Sequence, residues 1–224
     1  MNDQDNRTHQ MAIRVHELTT QSINDFAAGS AGRQYYAELQ TAITDFEQKA
    51  AAHGSGLSEA KQGTRTRGQR RELLEQLLNM IRAVAKALGI EDKFPRSAKD
   101  NDDQLLQTAD IYAAHALPHK AEFIAHELPA DFLEDLAAAR AAFQAGISEQ
   151  ANAVGDHISA REELDHSRNN LVAKVRKLGT VYQVLYANNP GKLAEWTAAS
   201  HVGGPRRKAK TPEPPTPEKS GQQP

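Results

Sequence analysis

Proline is absent from the first 94 residues of this chain, and again from residue 130 to residue 189. Inside a helix proline removes a backbone hydrogen bond and clashes with the preceding turn, at roughly 3 kcal/mol. Long runs without it, rich in Ala, Leu, Glu, Gln and Arg, therefore predict two long helices. Pro95, Pro118, Pro129 and Pro190 punctuate the body, and the other six prolines follow Gly204.

Apolar spacing agrees with this division. The first helix is expected from about Asp3 to Ala28, with Met11, Val15, Leu18 and Phe26 on its stripe and Gly29 as a left-handed cap. The second begins near Arg33 with Tyr36, Leu39, Ile43, Phe46, Ala50, His53 and Leu57. It resumes in phase at Leu74, Leu77, Ile81, Val84 and Leu88, which favours one continuous helix. Gly54, Gly56, Gly63 and Gly68 oppose that, at about 1 kcal/mol each. Gly89 follows as its cap.

A third helix is expected over Asp102–Ala116, with Asn101, Asp102 and Asp103 at its positive end. Pro118 starts a short helical piece ending near Leu128. The second long helix opens with Pro129 in its first turn. Its stripe runs through Phe132, Leu136, Phe143, Ile147, Val154 and Ile158, then Leu171, Val175, Leu178, Tyr182 and Leu185. Asn189-Pro190 reads as the cap and first turn of a last short helix anchored by Trp196. The fold expected is an all-α, elongated antiparallel helical bundle with two long helices in a coiled-coil-like pairing and shorter packing helices. Residues 1–202 form the helical body, and 203–224 a disordered, basic, Pro-rich tail.

Composition narrows the function classes. Aromatics are 5% of the chain, so the core should be thin and spread along helices. The absence of cysteine removes disulfides and thiolate metal sites. Met1–Asp5 is polar and acidic, unlike a secretory signal. No run approaches the ~20 apolar residues of a membrane span. A soluble cytoplasmic protein with no membrane partner is the expectation. Five basic residues (Arg206, Arg207, Lys208, Lys210, Lys219) against Glu213 and Glu218 make the tail +3, leaving −5 on the body.

Two stretches carry a resemblance. They are Lys120-Ala-Glu-Phe-Ile-Ala-His-Glu-Leu-Pro-Ala-Asp-Phe-Leu-Glu-Asp-Leu136 and Asn189-Pro-Gly-Lys-Leu-Ala-Glu-Trp-Thr-Ala-Ala-Ser-His-Val202. Both resemble a family of uncharacterised all-helical bacterial proteins with no assigned function. The resemblance implies a bacterial, all-helical protein and transfers no functional residues.

Candidate chemistry is sparse. Glu163-Leu-Asp-His166 has the E-x-x-H spacing of helical di-iron bundles, but such a site needs two of these segments and two further carboxylates. His119, Glu122 and His126 would share a helical face, and His115 lies four residues before His119 with Pro118 between. Arg65, Arg67, Arg70 and Arg71, with Arg206, Arg207, Lys208 and Lys210 in the tail, are candidates for phosphate contact. No nucleic-acid-binding fold accompanies them, and pairing of Arg65, Arg67, Arg70 and Arg71 with glutamates is the simpler reading. Pro212–Pro217 holds two overlapping P-x-x-P spacings. Gly54-Ser55-Gly56 has no phosphate-loop context, and Trp196 and Phe123 read as packing anchors. No catalytic, cofactor-binding or metal residues are assigned. The expectation is a non-enzymatic structural or protein-interaction module with a protein partner or a weak homodimer along the glycine-rich segment. The alternatives are a nucleic-acid-associated protein using its basic tail and a metal-binding helical enzyme.

Overall fold

The computed structural model describes residues 2–96 and 101–203. The disordered-tail expectation, and its five basic residues, therefore lie outside the described residues apart from Gly203. The described chain is all-α: α1 (Asp3–Gln21), α2 (Ala31–Ala87), α3 (Asp102–Ala116), α4 (Lys120–Ala125), α5 (Phe132–Leu185) and α6 (Pro190–Ser200). Short 3-10 turns at Ile23–Asp25, Glu91–Lys93 and Leu117–His119 intervene. No described helix is long and apolar enough to cross a membrane.

The helix ends follow local chemistry. Asn2 and Asp5 form a reciprocal capping box at the start of α1. Asn101 and Asn189 accept from the amides of Gln104 and Lys192, as expected of N-caps. Gly89 has φ +73°. The amides of Gly89 and Ile90 donate to the carbonyls of Lys86 and Ala85, which is a Schellman closure of α2. Glu127 closes α4 in the same pattern, its own amide donating to Ile124 and that of Leu128 to Phe123, at φ 68°.

Two boundaries differ from the sequence expectation. α1 ends at Gln21, before Ala28, because the Ser22 amide already turns back to Leu18 and Thr19 and a 3-10 turn follows. Left-handed Gly29 then sits in the turn ahead of α2. α5 begins at Phe132, three residues after Pro129, whose carbonyl accepts from the Phe132 amide. α2 does run unbroken through Gly54, Gly56, Gly63 and Gly68.

The chain divides into two compact units, residues 1–40 with 172–224 and residues 41–171. In the first, α1 and α6 pack with the start of α2 and the end of α5. Its buried side chains include Met11, Val15, Phe26, Leu39, Val175, Leu178, Tyr182 and Trp196. Trp196 stacks on Tyr182 at 4.3 Å, and Phe26 meets the same tyrosine edge-on. Gly179 leaves the space the indole occupies, since a Cβ there would lie 3.1 Å from it.

In the second unit, Leu74, Leu78, Ile81, Leu105, Leu106, Phe132, Leu136 and Phe143 surround an aromatic chain of Tyr112, Phe94 and Phe123. Leu77, expected as an anchor, is only partly buried, because Leu74 and Leu78 take the inward positions. α2 and α5 run antiparallel here, Lys49 pairing with Glu163 and Arg70 with Glu149.

Candidate functional site

The sequence-derived metal candidates do not converge. Glu163 is engaged by Lys49 at 2.6 Å, while Asp165 pairs with Arg161 and Arg168. The ammonium–carboxylate contact raises the Lys49 pKa. His119 caps α4 and bonds Glu122 at 3.0 Å, whereas His126 turns back to the Glu122 carbonyl at the other end. The three do not share one helical face, because α4 is only one and a half turns long. His115 packs against Phe94. No cluster of three or more His, Cys, Asp or Glu with metal-site geometry exists among the described residues.

The arginines of α2 between residues 65 and 71 are mostly paired, as the simpler reading expects. Arg67 and Arg71 both hold Asp102, Arg71 also reaches Glu75, and Arg70 reaches Glu149. Arg65 is exposed.

The middle of the α2–α5 pair in the second unit is polar and small. Inward positions recur every seven residues, at Phe46, His53, Ala60, Arg67 and Leu74 and at Phe143, Gln150, His157, Leu164 and Leu171. The His53 and His157 rings lie 4.9 Å apart, and the buried Nδ1 of His157 has no hydrogen-bond partner among the described residues. Gly56 and Gly63 face the backbone of His157 and Gln150, a Cβ at either approaching a Cα to 3.4 Å. Gly54 and Gly68 face open space. Ser167 donates to Asp45 at 2.5 Å, and Gln150 to Thr64. Leu57, Val154 and Ile158, placed on the buried stripes from sequence, are exposed instead, Ile158 by 55%. Glycine and alanine let the backbones close up, so neighbouring positions carry the large side chains outward.

Two apolar grooves escaped the sequence reading. In the second unit, Leu73, Leu77, Asp135, Ala138, Ala139 and Ala142 line a groove of about 390 Å³. Leu73 is 51% exposed, and Met80, two turns on, is 46% exposed. In the first unit, Phe26, Ala31, Tyr35, Val181, Val184 and Leu185 line one of about 520 Å³, with Asp25, Ser30 and Thr180 among its few polar groups. Val184 is 80% exposed, and Leu185 turns outward while Tyr186 takes the buried place. The Tyr186 hydroxyl donates to Asp25 at 2.5 Å. Burial, reinforced by that bond, pushes its pKa up to about 12. Surplus leucines and valines beside a filled stripe were the available signal; spacing alone does not say which member of a pair turns outward.

Comparison with family models, with curated proteins and with solved structures finds no match to this chain.

Proposed function

We propose that this protein is a non-catalytic structural or protein-interaction module, and that the Leu73–Leu77–Met80 face of its second unit receives an apolar helix of a partner protein. The two long helices act as its frame, and the seven-residue recurrence of their inward positions supports a coiled-coil pairing. The observation that carries the docking reading is the exposure of Leu73 and Met80 beside a floor of alanines. Leu73, Leu77 and Met80 stand at i, i+4 and i+7, one stripe of α2. Ala138 and Ala142 keep the neighbouring wall of α5 low. A helix laid into such a groove anchors through its own i, i+3, i+4 and i+7 side chains. Asp135 at the edge favours a lysine or arginine beside those anchors.

The test is a double substitution, Leu73→Glu with Met80→Glu, in the full chain. A helical partner recovered by crosslinking through residue 77 should be lost in the variant, with helical circular dichroism unchanged. Equal crosslinking of wild type and variant sinks the reading. So does a wild type that crosslinks only to itself.

A further inference from the structure

We infer that His53 of α2 and His157 of α5 together bind one divalent transition-metal ion, of the zinc, nickel and copper class, which clips the two helices to each other. Both residues belong to the second unit. Leu73 lies twenty residues farther along α2, about 30 Å away, so the inference stands without the docking reading.

The spacing of the two rings carries the argument. An imidazole nitrogen binds zinc at about 2.0–2.1 Å, which puts the ion about 3.2 Å from the ring centre. Two rings on one ion then have centres about 4.5 Å apart in square-planar geometry and about 5.2 Å apart in tetrahedral geometry. The His53 and His157 ring centres are 4.9 Å apart, with the rings tilted by 39° and not stacked.

A second observation is independent of that distance. The Nδ1 of His157 is buried and has no hydrogen-bond partner among the described residues. A buried nitrogen of this kind calls for a partner, and neutral imidazole is the commonest metal ligand. His53 has to give only one of its two nitrogens, so the other can keep a bond of its own.

The surroundings fix the rings and choose the ion. Gly56 lets α2 approach α5 at His157, since a Cβ there would lie 3.4 Å from the His157 Cα. Glu163 is committed to Lys49, and Asp165 to Arg161 and Arg168. The donor set is therefore two imidazoles, with water completing the shell. Imidazole suits zinc, nickel and copper, whereas magnesium and calcium take oxygen ligands. Both rings are half-buried, which leaves an approach from solvent. The ion would tie the pair where it buries little apolar surface.

The test is a titration of zinc sulfate into the full chain, prepared without a histidine tag. Calorimetry should show saturation at one ion per chain. His53→Gln and His157→Gln should each weaken binding at least tenfold, with helical circular dichroism unchanged. His126→Gln, at an exposed histidine of the same unit, should bind as the wild type does. Two measurements on the wild type keep the proposal open to refutation if a variant fails to fold. The ring-proton signals of His53 and His157 should move in step with saturation. At zinc ten times the half-saturating concentration, amides of residues 50–63 should exchange about tenfold more slowly. No saturable binding overturns the proposal, as do movement confined to other histidines and an equal loss of affinity in His126→Gln. One ion shared between two chains, with the mass doubling in sedimentation, overturns it as well.

Discussion

Gly68 and Gly179 both sit inside long helices, yet a methyl group added to each meets opposite surroundings. Around Gly68 there is open space, so Gly68→Ala should raise stability by about 1 kcal/mol through helix propensity. At Gly179 the added carbon would press on the Trp196 indole at 3.1 Å, and Gly179→Ala should lower stability by about 1–3 kcal/mol. Urea titrations of the two variants decide this; a shift of the same sign in both would refute the packing described for Trp196. Tyr186 gives a pH dependence. Its phenol ionises near the ordinary value of 10 in the unfolded chain but near about 12 in the fold. The unfolded state therefore loses its proton first, and the stability contributed below pH 10 drains away as pH rises from 10 to about 12. Tyr186→Phe should flatten the decline in melting temperature over that window. An equally steep decline in the variant assigns the loss to other groups.

At the scale of elements, the middle and the end of the α2–α5 pair in the second unit differ in what they bury. Leu74, Leu78, Ile81 and Ala85 are buried at one end, whereas His53, Ala60 and Gly63 are half-buried in the middle. Amides of residues 50–63 should exchange faster than those of 74–85, since opening there exposes little apolar surface. Uniform protection along the helix would contradict this. Leu74→Ala should cost about 2–5 kcal/mol, and Leu57→Ala little, because Leu57 is exposed. Helix existence was legible in proline spacing, and the caps in Asn101, Asn189 and Gly89. The inward face in the middle was not. A stripe is recognised by its large side chains, and here the contact is made by Gly56, Gly63, Ala153 and His157, so Leu57, Val154 and Ile158 were misplaced. The docking grooves were hidden for a related reason: periodicity places Leu77 and Leu78, or Leu185 and Tyr186, within one residue of the same face. The pair of Arg71 with Glu75 was readable from their spacing of four on one helix, whereas Arg70 with Glu149 and the hold of Arg67 and Arg71 on Asp102 join residues more than 30 apart.

For the whole molecule, the first compact unit draws on two separated stretches of chain and the second on one continuous stretch, 41–171, with α2 and α5 each contributing to both. Length and composition leave that division open, because the long helices show no break where it falls. The stacked pair of Trp196 and Tyr182 now has a practical use. Trp196 is the chain's one tryptophan and lies in the first unit, buried against a tyrosine. Intrinsic emission excited at the red edge of absorption thus reports on one unit alone, while ellipticity at 222 nm sums the helices of both. Overlaid denaturation curves from the two signals should coincide, because a continuous helix entering both units transmits fraying from one to the other. An emission midpoint displaced from the ellipticity midpoint would mean that the indole goes dark while the other unit is still folded, and the protein would carry its own built-in optical tag for half of itself.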